Sequence, residues 1–207
     1  ATLDRELQHA AEAALGDRRG AVVAIDVRTG AVRALASGPH FDNNIFVRPT
    51  DDWRRQAVLY DANQPLLNRA LQGQYPAGSV FKIVTLSAAL GAGSMDPQTP
   101  FNCPGYWDGL GVANRKMCWL ETGHGNIGLK DGLTASCNVV FYEVGDRLDA
   151  ADPTTLPTYA KAYGLGEKTG LEELPEAAGL VPDPDWKWST YQENWGTGDT
   201  VNMAIGQ

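Results

Sequence analysis

In the opening sixteen residues, ATLDRELQHAAEAALG, positions Leu3, Leu7, Ala11, Ala14 and Leu15 fall at helical spacing. The pattern predicts an amphipathic helix with Thr2 or Asp4 as N-cap and Gly16 as its stop. The period then changes: GAVVAIDVRTGAVRALAS is two β-rich runs around Arg28-Thr29-Gly30, which predicts a hairpin. SGPHFDNNIFVRPTDDWRRQ is crowded with turn formers and reads as irregular, leading to a partly helical stretch that ends at PLLNRALQGQYPAG. Residues 80–90 read as a buried helix closed by Gly91 and Gly93. From Thr99 to Gly125 periodicity fades among glycines, two cysteines and two tryptophans, the mark of a long functional loop or small excursion. NIGLKDGLTASCNVVFYEVGDRL is helical on both sides of Ser136-Cys137-Asn138, LPTYAKAYG is a further short helix, and the chain from there to Asp199 is rich in Pro, Gly and Trp. Without an internal repeat, low-complexity tract or linker, the economical reading is one α+β domain.

One residue breaks the pattern. Lys82 sits among Val80, Phe81, Ile83, Val84 and Leu86, with Ser79 three residues ahead of it. On a helix, residues three apart share a face, so a serine hydroxyl and a lysine amine at this spacing can work together. A serine is a poor nucleophile until a base removes its proton, and a lysine serves once apolar burial and the positive end of a helix lower its pKa. Gly78 would let a substrate backbone approach, and the helix start offers N–H groups to a developing oxyanion. The bland alternative has Lys82 snorkelling to solvent and Ser79 acting only as an N-cap. Ser136 and Asn138 bear on the choice. A serine there can pass a proton between lysine and leaving group, and an asparagine amide can hold a peptide-like substrate, whereas the plain reading of the triplet is the cap of the helix that follows.

Composition narrows the classes. Of 207 residues, 43% are hydrophobic and 20% charged, the range of an ordinary globular chain. Lys and Arg number 17 against 25 Asp and Glu, a net charge of −8, and there is no basic cluster beyond short pairs such as Arg18-Arg19 and Arg54-Arg55, so nucleic acid is not expected as a partner. No apolar stretch reaches the ~20 residues of a membrane span and no signal peptide opens the chain. Position 1 is not Met and the last residues, VNMAIGQ, are an apolar run, which reads as a piece of a larger protein.

Taken together, NRALQGQYPAGSVFKIVT, GHGNIGLKDGLTASCNVVFYEVG, YGLGEKTGLEELPEAAGLVPDPDWK and GDTVNMAIGQ resemble the transpeptidase domain of class B penicillin-binding proteins, most closely the elongation type. TLDRELQHAAEAAL, the hairpin and FDNNIF resemble the start of that domain, so the likeness runs over nearly the whole chain. It implies the penicillin-binding-protein/serine β-lactamase-like α+β fold, an antiparallel sheet flanked by helices. It implies a serine D,D-transpeptidase that attacks the D-Ala-D-Ala end of a peptidoglycan stem peptide and is acylated by β-lactams. Carried onto matching positions, Ser79 is the nucleophile, Lys82 its base, Ser136 the proton relay and Asn138 a substrate-binding amide. The family's Lys-Thr/Ser-Gly strand is expected downstream of AIGQ. Lys168-Thr169-Gly170 is set aside because its flanks lack a β-branched pattern. The domain is thus expected to span residues 1–207 incompletely and to be a weak catalyst, or none, by itself. The resemblance further implies an N-terminal membrane anchor in the parent, an extracytoplasmic location and a membrane glycosyltransferase partner of the SEDS type. A β-lactam sensor, a serine β-lactamase and a non-catalytic structural module are the rival readings.

The three cysteines allow several pairings. Cys103 and Cys118 can close a disulfide loop worth ~3 kcal/mol on the chain-entropy estimate, leaving Cys137 over. A Cys₃His zinc site uses Cys103, Cys118, His124 and Cys137 together and would pin the loop to the Ser136–Asn138 turn. Reduced structural cysteines are the third option. The resemblance favours zinc, because some elongation-type members carry a metal near this turn. His9 and His40 read as surface or packing residues. Trp186, Trp188, Tyr191 and Trp195 either line a substrate groove or serve in packing, the commoner use of such a cluster.

Overall fold

The computed structural model describes residues 2–48, 52–171 and 174–207. It divides into two compact units, residues 1–74 with 170–177 and residues 75–169 with 178–207.

The smaller unit opens with helix α1 (Arg5–Leu15), capped by Asp4, whose carboxylate accepts from the Leu7 N–H at 3.0 Å. Strands β1 (Gly20–Ile25) and β2 (Val32–Gly38) form the expected antiparallel hairpin, in register from Gly20 opposite Gly38 with an irregularity at Ala24/Ile25. Its inner face buries Ala34 and Ala36 against Ala11 and Leu15 of α1. The segment expected to be irregular holds more helix than its turn formers suggest. Asp42 caps a 3₁₀ turn over Asn43–Phe46, and α2 (Asp52–Leu59) follows, with an Asp52–Arg55 pair at 2.9 Å across its first turn. Residues 49–51 of that stretch lie outside the described residues. After the short α3 (Arg69–Gln72), the chain is tied by a buried cation. The Arg69 guanidinium donates to the carbonyls of Gly38, Gln64 and Asn63, at 3.1, 2.9 and 2.6 Å, which satisfies three loop acceptors with one side chain.

The larger unit starts with a 3₁₀ turn, Gly78–Phe81, that runs straight into α4 (Lys82–Gly91). The expected buried helix is one-sided. Lys82, Val84, Thr85, Ala88 and Ala89 face inward, while Val80 and Ile83 are 70% and 55% exposed. The loop region from 99 onward is an excursion with strands of its own: β3 (Pro100–Cys103), β4 (Tyr106–Trp107), β5 (Lys116–Met117) and β6 (Gly125–Gly128), paired antiparallel as β3–β6 and β4–β5. Strands of two to four residues are too short to show an alternation in the sequence. Helices α5 (Leu129–Thr134), α6 (Asn138–Ala151) and α7 (Thr155–Ala162) appear where the pattern places them. The core centres on α6, which buries Val139, Val140, Phe141, Tyr142, Val144 and Leu148. The Pro- and Trp-rich stretch yields α8 (Pro184–Tyr191), and α9 (Thr197–Met203) follows; neither was expected. A start signal was there to be read: Asp183 accepts from the Trp186 N–H at 2.8 Å and Pro184 opens the helix.

Candidate active site

Lys82 does not reach solvent. Its side chain is 0% exposed at the start of α4, and its three ammonium donors meet three acceptors. These are the Ser136 carbonyl at 2.8 Å, the Ser136 Oγ at 3.2 Å and the Asn138 Oδ1 at 2.7 Å. The ammonium also lies over the Phe141 ring, 5.5 Å from its centroid, a contact with a negative π face. Burial lowers the lysine pKa, and the nearby Cys137 and Cys118 oppose that shift by favouring the cation. The snorkelling alternative is therefore overturned. So is the capping one, because the 3₁₀ turn has Ala77 at its cap position with no side-chain bond, and the exposed Ser79 lies inside the turn.

The Ser136–Asn138 turn is shaped to hold this arrangement. Ser136 adopts φ 50°, an uncommon left-handed conformation for a serine, at the break between α5 and α6. Cys137 holds the cap position of α6 without a side-chain bond, so neither Ser136 nor Asn138 is spent on capping. The opposite wall comes from the last residues. Gly206 accepts from the Gly78 N–H at 2.9 Å, and Ala204 accepts from the Thr85 Oγ1 at 2.9 Å. A Cβ on Gly206 would lie 2.2 Å from the Gly78 carbonyl oxygen, so only glycine allows this approach beside Ser79.

Cys103, Cys118, His124 and Cys137 converge, with their ligand atoms all within 4.8 Å of one another. The three cysteines are free thiols, so the Cys103–Cys118 disulfide weighed from the sequence is not formed. Both sulfurs instead face His124 Nδ1, at 3.5 and 3.6 Å. The strand edges bring them there: Cys103 ends β3, opposite Gly125 of β6, and Gly123 passes so close that a Cβ would lie 2.1 Å from the Cys103 carbonyl oxygen. Burial opposes the Cys118 thiolate, yet the backbone N–H groups of Leu120, Asn138 and Val139 hold its pKa below the ordinary value. Cys137 goes the other way, pushed up to about 12 by burial, with the Val140 N–H opposing and Cys103 and Cys118 adding to the rise. Among the described residues, His124 Nε2 is buried without a hydrogen-bond partner.

Two positions escaped the reading of the sequence. Phe141 looked like one more apolar residue of α6, and its role as the floor under Lys82 had a signal only in its i+3 spacing from Asn138. Trp119 ties the excursion to the turn by donating from Nε1 to the Ala135 carbonyl at 3.1 Å and packing edge-on to His124 at 5.4 Å. His9 is on α1 and exposed, beside Glu12, as expected. Lys168-Thr169-Gly170 lies in irregular chain and not on a strand.

The transpeptidase domain of penicillin-binding proteins, as a family, matches residues 20–206. The chain belongs to that family. Its expected class B, elongation-type membership is borne out by its relatives: it is 36% identical over 206 residues to the peptidoglycan D,D-transpeptidase MrdA of Acinetobacter baumannii, covering 100% of the chain and 30% of that protein. Pseudomonas aeruginosa PBP2, solved with WCK 5153, superimposes with a TM-score of 0.91 at 34% identity, covering 100% of the chain and 44% of its own. A chain from a peptidoglycan synthase complex, described as coordinating polymerization and crosslinking, gives a TM-score of 0.86 at 36% identity, over 99% of this chain and 38% of that one. The transpeptidase fold is thereby established, with the α+β character seen in the helices and small antiparallel sheets. The chain spans about a third of the length of the curated relatives it matches.

Proposed function

We propose that the protein of which this chain is part is a serine D,D-transpeptidase that crosslinks peptidoglycan stem peptides during cell elongation, and that residues 1–207 are an incomplete transpeptidase domain. The observation that carries the reading is the buried Lys82 gripped by Ser136 and Asn138, with the exposed Ser79 three residues ahead of it. In its neutral form, Lys82 has a lone pair to take the Ser79 hydroxyl proton as Oγ bonds to the penultimate D-Ala carbonyl carbon. The C–N bond to the terminal D-Ala breaks, and Ser136 passes the proton to the departing amine. An amine from a second stem peptide then attacks the acyl-enzyme and releases Ser79. Asn138, whose carbonyl oxygen faces Lys82, has an amide NH₂ to offer the substrate backbone.

β-Lactams would enter the first half of this sequence and stop there. The family name supports that reading, as the likeness to a chain of a peptidoglycan synthase complex supports a SEDS-type membrane glycosyltransferase as partner. An N-terminal anchor on the extracytoplasmic face belongs to the same proposal; no described helix of this chain is long and apolar enough to cross a membrane.

The four-donor cluster is the place for a structural zinc ion. Zn–S bonds of ~2.3 Å and a Zn–N bond of ~2.0–2.1 Å at tetrahedral angles put sulfur and nitrogen ~3.6 Å apart. The observed separations from His124 Nδ1 are 3.5 and 3.6 Å. Bound there, the ion would act as a crosslink between the excursion and the turn that holds Lys82.

The test is intact mass and peptide mapping of the full-length protein after exposure to benzylpenicillin, with Ser79→Ala alongside. A stable adduct on Ser79 that vanishes in the variant is expected. A folded protein without an adduct would overturn the enzyme reading, and an adduct lost rapidly by hydrolysis would favour a β-lactamase.

A further inference from the structure

Helix α5 ends in a motif that normally calls for glycine. The Cys137 N–H donates to the Gly132 carbonyl at 2.8 Å and the Ser136 N–H to the Leu133 carbonyl at 2.9 Å, the paired bonds of a Schellman turn. Such a turn needs a left-handed residue where Ser136 stands, and glycine is the usual occupant because it has no Cβ to crowd the neighbouring carbonyl. Here a serine holds that position at φ 50°. The left-handed turn presents both the Oγ and the carbonyl of one residue to the Lys82 amine, at 3.2 and 2.8 Å. A residue with a Cβ keeps such a conformation only where its surroundings hold it there.

Two rigid peptide planes meet at the Ser136 Cα, and φ and ψ are their rotations. The plane from Ser136 to Cys137 is held at its carbonyl by Lys82 and at its N–H by Gly132. The plane from Ala135 to Ser136 is held at its N–H by Leu133 and at its carbonyl by the Trp119 indole, which donates from Nε1 at 3.1 Å. Gly132 and Leu133 belong to α5, and Lys82 is the group being served. Trp119 alone of the four partners comes from the excursion, and its own place is set. It follows Cys118, whose N–H donates to the Gly105 carbonyl at 2.8 Å, and its ring meets His124 at an interplanar angle of 66°. Water in place of the indole would satisfy the Ala135 carbonyl without fixing where it points.

We propose that Trp119 is a positioning residue for Ser136: its indole N–H fixes the Ala135–Ser136 peptide plane and so keeps the Ser136 hydroxyl on Lys82. The placement stands on the hydrogen bonds alone, and its effect on acylation rests on the transpeptidase reading above. The test is a double-mutant cycle in the full-length protein, with acylation by benzylpenicillin as the rate. Trp119 is exchanged for 3-benzothienylalanine, which keeps the ring against His124 and puts sulfur in place of Nε1–H, with Trp119→Phe as the encoded counterpart. Each is made with Ser136 intact and with Ser136→Ala. The Trp119 residue is 62% exposed, so folding should survive both changes, and melting curves check that it does. Acylation is expected to slow at least about threefold with Ser136 intact and by less than about 1.5-fold beside Ser136→Ala, where no hydroxyl is left to misplace. No slowing with Ser136 intact would overturn the proposal. An equal loss in both backgrounds would overturn it as well, in favour of a general role in stability. A crystal structure of the 3-benzothienylalanine protein reads the placement apart from any rate. Movement of the Ser136 Oγ away from Lys82 is expected there, and an unchanged φ and contact would overturn the proposal. If the unsubstituted protein takes no label, the transpeptidase reading falls, and the crystal structure by itself decides whether Trp119 positions Ser136.

Discussion

At the level of single residues, the proposed chemistry rests on one buried amine. Lys82 has no solvent and three acceptors, so removing it leaves the Ser136 carbonyl and the Asn138 Oδ1 without their donor. Lys82→Met keeps the volume of the side chain and deletes the proposed base. Acylation of the full-length protein by benzylpenicillin should fall at least about 100-fold, a drop that stopped-flow or gel labelling would register. Ser136→Ala removes only the 3.2 Å contact from the lysine and should slow acylation while leaving the fold intact. The pH dependence follows from burial. Because desolvation holds the Lys82 pKa below its ordinary 10.5, the neutral amine gains population at lower pH than a free lysine would allow. The acylation rate should therefore rise with pH through an inflection below that value, and an inflection at the ordinary lysine value would contradict the assignment of the base. The stability sign is the reverse of a salt bridge: the charged lysine is disfavoured by folding, so its cost is present below the folded pKa and fades as pH rises through it.

At the level of elements, α8 depends on Asp183, which caps the helix through the Trp186 N–H and pairs with Lys161. Asp183→Ala should destabilise the larger unit by about 1 kcal/mol, read from chemical denaturation. The Lys161 hydrogen bond first, and the Trp186 N–H second, depress the Asp183 pKa below its ordinary 3.8. Its contribution is thus complete above that value and lost as pH falls through the lower folded pKa, so the gap between wild type and variant should close on acidification below about pH 4. Helix α6 carries a different constraint. A Cβ on Gly145 would lie 2.9 Å from the Ala204 Cβ and 3.2 Å from the Val201 Cα, so Gly145→Ala should destabilise by about 1–3 kcal/mol despite the better helix propensity of alanine. Elements like α1, the hairpin and α6 were legible in the sequence because each carries a long, single-period apolar pattern. The strands around Cys103 and Lys116 were not, since a two- or four-residue strand is defined by its partner and not by its own alternation. α8 was hidden by its composition: Trp and Pro outweighed the Asp183-Pro184 start in a window that judged residues by type. The site was more legible than the fold around it, because the four residues Ser79, Lys82, Ser136 and Asn138 depend on spacing and chemistry that the chain prints directly. Phe141 and Gly206 matter through close approach in three dimensions, and nothing local in the sequence announces that.

For the molecule as a whole, the cysteine cluster and the lysine site share a hinge. Cys137 lies between Ser136 and Asn138, so whatever holds its sulfur also fixes both groups that grip Lys82. A zinc ion at Cys103, Cys118, His124 and Cys137 would join the 100–126 excursion to the first turn of α6, and the apoprotein would lose that crosslink. Elemental analysis should find one zinc per chain, and Cys103→Ser should lose it. An all-thiol mass without metal would instead leave the cysteines as structural thiols, and a mass two units lower would mean a disulfide. At a free zinc concentration about 1,000 times its dissociation constant, the ion would stabilise by ~4 kcal/mol. In a chain of this size each kilocalorie moves the midpoint by roughly 2–4 °C, so chelation should lower the melting temperature by about 10 °C. Metal loss should also slow benzylpenicillin acylation, because the turn that presents Ser136 is no longer held. A melting temperature and an acylation rate that both ignore chelation would show that packing alone fixes Cys137, and that the lysine site needs no metal to keep its shape.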